Sequence, residues 1–162
     1  DLGKSSQAQA WRAKGDELFR RLVAHSWRGD HFVSPRSGDH VVAHGDSLVP
    51  LMPLLLGNRL DGEQRAALVR RVKRFITPHG LATENPASPL YEANGYWRGP
   101  IWAPSTHLIV CGLIECGQAR LAKQIARAFC RTCATSGMAE NFDALSGAGL
   151  CDRAYTWTAS VF

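Results

Sequence analysis

The sequence lacks any apolar run long enough to cross a lipid bilayer. Its longest such stretch, residues 101–114, is interrupted by Pro104, His107 and the two hydroxyl residues between them, whereas about 20 consecutive apolar residues are needed to span the hydrocarbon core. No signal peptide is recognisable at the start, and no segment convincingly alternates apolar and polar residues with a period of two. We therefore expect no membrane partner and a fold built from helices.

Cysteine is too scarce, and present in the wrong number, for a complete disulfide framework. The five residues are Cys111, Cys116, Cys130, Cys133 and Cys151. An odd count favours a reducing compartment, so we expect the protein to be cytoplasmic. Cys130 and Cys133 have the CxxC spacing of zinc and redox sites, but they lie late in a helical pattern with no strand before them. We interpret them as small apolar side chains that are packed rather than reactive.

Metal-binding patterns are also missing from the sequence. His31, His40 and His44 lie close together, but their spacing matches no metal-binding helix motif. We interpret them as surface or hydrogen-bonded histidines, and we expect neither a metal nor a cofactor.

The excess of positive charge does not by itself indicate a nucleic-acid partner. The chain carries 19 Lys and Arg against 14 Asp and Glu, a net charge of +5. Arg70, Arg71, Lys73 and Arg74 cluster in a predicted helix, where cations complement the helix dipole and solvate an outer face. Because no basic pattern is interleaved with aromatic residues, we expect no nucleic-acid binding.

What the sequence does contain is helical periodicity over most of one domain of 162 residues. Amphipathic helices are predicted over 5–27, 61–76 and 118–135, and helices that are apolar on nearly all sides over 48–56 and 101–116. Another helix begins near Tyr155, and two long loops without secondary structure are predicted at 77–99 and 137–153. The alternation of outer and inner helices is what a double-layered helical barrel needs.

Apolar spacing and capping residues predict the buried face or the first residue of several of these helices. Trp11, Leu18, Leu22 and His25 share one face of the first helix. Asp46 and Ser47 are predicted to cap the helix that follows, which has Pro50 in its first turn. Asp61 and Gln64 have the spacing of a capping box.

The segment 96–102, with the sequence YWRGPIW, is the strongest candidate for a binding site. It lies on a loop at the mouth of a predicted interior helix, and loops held by rigid elements carry binding residues. Flat aromatic faces suit the apolar face of a sugar ring, and Arg98 can donate paired hydrogen bonds to a carboxylate or a sugar oxygen. The alternative is that these rings fill the core where a loop meets a helix.

Three further segments join this one in a recognisable set. They are LATE at 81–84, ENFDALSG at 140–147 and YTWTA at 155–159. Together the segments resemble the C-terminal part of glycoside hydrolases with an (α/α)6 barrel, most closely family sixty-three α-glucosidases, glycogen-debranching (amylo-α-1,6-glucosidase-like) proteins and trehalase-like relatives. The resemblance implies an all-α fold, about the C-terminal half of an (α/α)6 toroid, with 1–162 belonging to a single catalytic domain.

The resemblance also implies an inverting mechanism, in which two carboxyl groups about 6.5–9.5 Å apart admit a water between the sugar and the base. Glu140 matches the general base; read alone, it could be a solvated loop carboxylate. The general acid of the family is an Asp on an earlier loop, and no segment here matches it. Asp46 and Asp143 are the nearest substitutes, and Asp143 either tunes Glu140 or hydrogen-bonds its own loop.

The same resemblance implies a substrate-binding set. Trp97, Arg98 and Trp102 match positions that line the sugar pocket, and Tyr96 and Trp157 are expected as wall residues. For Trp157 the alternative is a ring packed on the loop of the base, and the same holds for Tyr155.

The expected function is therefore inverting hydrolysis of an α-glucosidic or related α-glycosidic bond. The substrate is left open among α-glucosides, mannosyl or glucosyl glycerate, trehalose and branched glucans. The alternative is a non-catalytic helical module that binds carbohydrate or protein. The sequence starts without Met and ends in an apolar run, so we expect a piece of a longer protein that is close to inactive alone and that pairs with the rest of the barrel or with itself.

Overall fold

The computed structural model describes residues 4–42 and 45–162, and these form a predominantly helical assembly. His44, one of the three histidines considered above, lies outside this part of the chain. Within it, no helix combines the length and the apolarity that crossing a bilayer demands. The elements in chain order are α1 (Ser5–Ser26), a 3₁₀ segment (Val49–Arg59), α2 (Gly62–Val72), a 3₁₀ turn (Lys73–Phe75), β1 (Ile76–Thr77), β2 (Gly80–Leu81), α3 (Ala103–Glu115), α4 (Ala119–Ser136), β3 (Asn141–Phe142), β4 (Gly149–Leu150) and α5 (Thr156–Val161).

The second predicted helix forms, but not in the predicted manner. It runs over Val49–Arg59 with 3₁₀ geometry, and neither Asp46 nor Ser47 caps it, because Leu48 takes the N-cap position without a side-chain hydrogen bond. Pro50 lies in the first turn as predicted, whereas Pro53 lies inside and removes an amide donor. Gly57, with a φ of 51°, then kinks the segment.

The capping box at the start of α2 is confirmed. The Asp61 carboxylate accepts a hydrogen bond from the Gln64 amide at 2.7 Å, and the Gln64 side chain accepts one from the Asp61 amide at 3.2 Å. Leu68 and Val72 of this helix are buried. The helix ends four residues earlier than predicted, since Lys73–Phe75 is a 3₁₀ turn and Ile76 already belongs to β1.

The two long loops contain secondary structure, so the prediction of structureless loops was wrong. β1 pairs with β2, and β3 pairs with β4, each as an antiparallel hairpin with two residues in each strand. Ile101 then bridges both loops, because it pairs with Ala82 on one side and with Phe142 on the other. Its amide donates to the Phe142 carbonyl at 2.7 Å. This single residue fixes the two motif-bearing loops beside each other at the start of α3.

Two apolar clusters make up the core. The larger lies among the 3₁₀ segment, α2 and α3, and Gly112 of α3 lies so close to Leu54 that an added Cβ would be 2.7 Å from the Leu54 Cβ. The smaller includes Ala82, Ile101, Phe129 and Phe142 and lies directly beneath the paired loops. The site described below therefore lies directly above closely packed apolar side chains.

The first helix is confirmed, but most of its predicted apolar face is uncovered. Trp11, Leu18 and Leu22 are 69%, 55% and 36% exposed. The helix is held from its side by Phe19, which packs against the larger cluster, and by Arg59, whose guanidinium lies 4.9 Å from the Phe19 ring centroid and 2.6 Å from the Asp16 carboxylate. An amphipathic helix normally buries such a face, so this surface is free for a further contact.

Candidate active site

The aromatic segment forms a tight loop ahead of α3. The Glu92 amide donates to the Arg98 carbonyl at 2.8 Å, and the Gly95 amide donates to the Glu92 carbonyl at 3.0 Å. Gly99 has a φ of 154°, and a Cβ on it would lie 2.1 Å from the Glu92 carbonyl oxygen. Only glycine fits there. Thr83 anchors the end of the loop by donating its hydroxyl to the Pro100 carbonyl at 2.8 Å.

Trp102 is the centre of an aromatic cluster and has no exposed surface. Trp97 stacks on it with ring centroids 4.1 Å apart and an interplanar angle of 11°. Tyr96 and Trp157 meet it edge-on at 4.7 and 5.3 Å. The prediction that Trp102 lines the sugar pocket is corrected accordingly: additional chain or ligand can only bury it further, so Trp102 supports the wall from behind.

The surface of this cluster consists of Tyr96 and Trp97, which are 48% and 46% exposed. Tyr96 has a φ of 57°, the left-handed region that a large aromatic residue rarely adopts. Its carbonyl accepts a hydrogen bond from the indole Nε1 of Trp102 at 2.8 Å. These two rings are therefore the parts of the aromatic segment that a ligand can touch.

Glu140 lies next to this wall, half-buried, just before β3. The hydroxyl of Tyr96 donates to its Oε1 at 3.0 Å, which joins the two predicted motifs through their side chains. The Glu140 amide donates to the Asp152 carbonyl at 2.7 Å, and the Glu140 carbonyl accepts from the indole of Trp157 at 3.4 Å. The hydrogen bond to Glu140 raises the pKa of the Tyr96 phenol.

Trp157 packs on the loop that carries Glu140, and its role as a wall residue stays a prediction. Its ring is half-buried against Trp102 and Tyr155, and its indole holds the backbone of the Glu140 loop. Trp157 thus packs on the loop that carries Glu140 and still has an exposed part.

Arg98 lies at the rim and is already paired. Its Nη2 lies 2.7 Å from Glu92 Oε1, and both side chains are more than half exposed. Exposed ion pairs of this kind are weak. A ligand oxygen or carboxylate can therefore compete for the guanidinium.

The carboxylates considered as substitutes for the general acid are engaged elsewhere. Asp143 accepts from the Leu145 amide at 2.9 Å and from the Ser146 hydroxyl at 2.7 Å. Burial opposes ionisation, but these hydrogen bonds outweigh it and lower the pKa of Asp143. Of the two roles considered for Asp143, the structure shows hydrogen bonding within its own loop.

Asp46 belongs to a separate polar cluster. Its two oxygens lie 2.9 Å from Arg71 and 2.8 Å from Arg74, and Asn85 also donates to it at 2.8 Å. Glu84, only 2% exposed, accepts from the Asp46 amide at 2.8 Å. These contacts tie the loop before the 3₁₀ segment to the LATE segment, and they occupy both oxygens of Asp46.

Sequence reasoning missed three supports of the site. Thr83 anchors the aromatic loop, Thr158 donates to the Ala139 carbonyl at 2.7 Å, and Asn141, next to Glu140 in the chain, is fully buried. All three lie inside recognised motifs, which is the only signal that marked them. Across 4–42 and 45–162, no group of three or more metal-ligating side chains comes together.

Comparison with known proteins gives a family match over nearly the whole chain. The profile of the family described as the mannosylglycerate hydrolase MGH1-like glycoside hydrolase domain matches residues 1–158. Mannosylglycerate hydrolase MGH1 of Selaginella moellendorffii is 30% identical over 112 residues, which cover 68% of this chain and 23% of the relative. The mannosylglycerate hydrolase of Thermus thermophilus is also 30% identical over 112 residues, covering 68% of this chain and 27% of the relative. The chain spans about a quarter of the length of these relatives.

Solved structures agree with the fold. The crystal structure of a family sixty-three mannosylglycerate hydrolase of Thermus thermophilus in complex with glucose superposes with a TM-score of 0.81 over 96% of this chain and 39% of that one, at 22% identity. The neutral trehalase Nth1 of Saccharomyces cerevisiae matches with a TM-score of 0.70 over 93% of this chain and 29% of that one, at 17% identity. The predicted (α/α)6-barrel fold is confirmed, with this chain covering a part of it. Together with the profile match, this shows that the chain belongs to the family of MGH1-like glycoside hydrolase domains.

Proposed function

We propose that this chain is the base-bearing part of an inverting glycoside hydrolase that cleaves an α-glycosidic bond, with Glu140 as the general base. One observation carries the proposal: a half-buried carboxylate stands beside an exposed aromatic wall and receives a hydrogen bond from it. Sugar-binding sites need a flat apolar face next to polar groups that fix orientation, and this is the place among the described residues where both meet.

In the proposed reaction, Glu140 removes a proton from water while the water oxygen attacks the anomeric carbon. The bond from that carbon to the leaving oxygen breaks, and a general acid protonates the leaving oxygen. Attack on the face opposite to the leaving group inverts the configuration. Because Asp46 and Asp143 are both engaged, the general acid is proposed to come from a segment of the full-length protein outside residues 1–162.

The aromatic residues and Arg98 divide the task of holding the sugar. Trp97 and Tyr96 offer their exposed faces to the ring, and Trp157 borders the base. Arg98 is proposed to exchange its exposed partner Glu92 for a sugar oxygen or a ligand carboxylate. Trp102 backs the wall without touching the substrate.

The substrate class is proposed from the relatives and the site together. The curated relatives are named as mannosylglycerate hydrolases, and a glycerate glycoside carries a carboxylate for which a rim guanidinium is a suitable partner. We therefore place mannosylglycerate first and simple α-glucosides second. A preference of more than about tenfold in kcat/KM for the α-glucoside would reverse this order.

The domain assignment is also a proposal. Residues 1–162 are inferred to be the C-terminal portion of a single (α/α)6 catalytic domain. The exposed Trp11, Leu18 and Leu22 of α1 are proposed to contact the remainder of the barrel, or a second copy when that remainder is absent.

A non-catalytic sugar-binding module is the second candidate, since Asp143, Asp46 and the rim Glu92 are all engaged. Substitution separates the two functions in the full-length natural protein. Glu140→Gln removes the base but keeps the shape, so we expect kcat on mannosylglycerate to fall by about 10²–10⁴-fold. Glu63→Gln, an exposed position in the first turn of α2, is the matched control and should stay near wild type. Sugar binding without any turnover by the wild-type protein would support the module instead.

A further inference from the structure

The most unusual backbone position at the site is Tyr96. Three residues other than glycine have a positive φ in the described chain: His40, Tyr96 and Cys151. A bulky side chain in the left-handed region is strained, and such strain persists only where surrounding contacts over-determine it. Strained residues of this kind are concentrated at sites where function requires one particular orientation of a side chain.

Buried Trp102 supplies the contacts that hold Tyr96 in this conformation. Its indole Nε1 donates to the Tyr96 carbonyl at 2.8 Å. Its ring meets the Tyr96 ring edge-on at 4.7 Å, and Trp97 stacks on it at 4.1 Å. The side chain of Trp102, which has no exposed surface, therefore positions both the backbone and the ring of Tyr96.

The result of this conformation is a single side-chain contact to Glu140. The Tyr96 hydroxyl donates to Oε1 at 3.0 Å. Among the described residues no other side chain donates to this carboxylate, whereas the backbone of Glu140 is fixed separately by Asp152 and Trp157. With Oε1 engaged, Oε2 is the oxygen left to accept a proton from water.

We propose that Trp102 and Tyr96 act as a pair of positioning residues for the base: the indole holds the tyrosine left-handed, and the phenol turns the carboxylate of Glu140 so that Oε2 faces the attacking water. This inference rests on the proposed function, because it assigns a role only if Glu140 is the base. It goes beyond the sugar-wall role expected of Tyr96 and Trp102, since both act through Glu140.

The protonation of Tyr96 fits this role. Its hydrogen bond to Glu140 raises the pKa of the phenol above its ordinary value. The hydroxyl therefore remains a donor at any pH at which a carboxylate can serve as a base.

The test uses the full-length natural protein and the conservative variants Tyr96→Phe and Trp102→Phe. Each keeps an aromatic ring and removes a hydrogen-bond donor. A wrongly oriented base slows the chemical step but leaves the affinity for substrate nearly unchanged. We therefore expect kcat to fall by about 10–100-fold while KM changes by less than about threefold. A rise in KM at constant kcat would show that both residues only bind sugar, and would overturn the proposal.

Matched controls separate this effect from the loss of a hydroxyl or an indole in general. Tyr91→Phe removes a buried phenol oxygen that lies near Asp143 and Ala144 but makes no hydrogen bond of ordinary geometry among the described residues. Trp27→Phe removes an indole packed on Phe32 that donates to no described residue. Both controls should keep wild-type kcat. If they lose as much activity as Tyr96→Phe and Trp102→Phe, the proposal fails.

Two double variants test whether the residues act through one another. Because the pair shares one path to Glu140, Tyr96→Phe/Trp102→Phe should be no slower than the slower single variant, within about twofold. For the same reason Tyr96→Phe should leave the residual rate of Glu140→Gln unchanged. Multiplicative losses in either double variant would overturn the proposal.

If Glu140→Gln retains wild-type activity, the proposed function itself fails; if it is inactive while Tyr96→Phe is normal, only this inference fails. Since Tyr96 is exposed, its variant decides the question even if Trp102→Phe does not fold.

Discussion

Glu140 is held at its backbone by Asp152 and Trp157 and at its side chain by Tyr96. The resemblance to the glycoside hydrolase family singled out this residue, since its position alone would equally fit a solvated loop carboxylate. The hydrogen bond from Tyr96 was not visible, since it depends on a left-handed φ and on a loop pairing through Ile101. Sequence reasoning therefore found the proposed base and named Tyr96 as a wall residue, but it did not find the hydrogen bond between the two.

Gly99 is predicted to be irreplaceable. Gly99→Ala would place a Cβ 2.1 Å from the Glu92 carbonyl oxygen at a φ of 154°, so the aromatic loop would have to open. We expect a loss of about 2–3 kcal/mol in the free energy of unfolding and a large loss of activity. Chemical denaturation of the full-length protein measures the first quantity. Gly62→Ala, which meets no atom within 4 Å at the start of α2, is the control, and equal effects of the two changes would contradict the argument.

Asp143 is predicted to stabilise the fold above acidic pH. Hydrogen bonds to its carboxylate lower its folded-state pKa below the ordinary value of 3.8, against the opposing effect of burial. A depressed pKa contributes stability that is present above the unfolded-state value and is lost as the pH falls through the folded-state value. Asp143→Asn should therefore lower the Tm at pH 7, with a difference from wild type that shrinks below about pH 4.

Thermal unfolding of Asp143→Asn and wild type across that range supplies the measurement. Asp16→Asn, whose carboxylate forms an exposed pair with Arg59, should change the Tm little. A Tm difference for Asp143→Asn that stays constant down to low pH would show that its ionised form contributes nothing.

At the scale of elements, periodicity predicted the α-helices well and failed where the chain is shorter or more constrained. The helices near 5–27, 101–116 and 118–135 form within a few residues of the predicted bounds. Pro50 and Pro53 remove amide donors inside Val49–Arg59, and the segment takes 3₁₀ geometry instead. The hairpins escaped detection because two-residue strands are too short to show a period of two.

The capping box of α2 gives an element-scale prediction. Asp61→Ala removes the acceptor for the Gln64 amide and leaves that donor without its partner. The free energy of unfolding should fall by about 1 kcal/mol. Urea denaturation measures it, and Asp61→Asn, which keeps an acceptor oxygen, should recover most of the loss. A full loss in both variants would contradict a capping role.

At the scale of the molecule, the sequence predicted the alternation of helices and hence the barrel, but not the uncovered face of α1. Periodicity reports that a face is apolar; it does not report which part of the chain covers it. The described residues leave Trp11 and Leu18 largely exposed. This chain covers only 39% of the glucose-bound barrel enzyme from Thermus thermophilus, and the proposal is that chain outside this part covers the face.

Residues 1–162 produced alone are predicted to self-associate through this face and to be close to inactive. Exposed apolar stripes associate in water, and the general acid is proposed to lie outside this segment. Light scattering should show oligomers for the wild-type segment and a shift toward monomer for Leu18→Asp/Leu22→Asp. Arg12→Asp, on the exposed surface of the same helix, is the control. A monodisperse wild-type monomer would contradict the proposal.

The most direct test of the central claim is the product formed by full-length Glu140→Ala with sodium azide. Azide fits the space left by the side chain and attacks the anomeric carbon without needing a base, while the general acid still protonates the leaving oxygen. If Glu140 is the base of an inverting enzyme, azide restores turnover and NMR shows a β-glycosyl azide from an α-glycoside substrate. An azide product of retained α configuration, or wild-type hydrolysis by Glu140→Ala without azide, would contradict the claim.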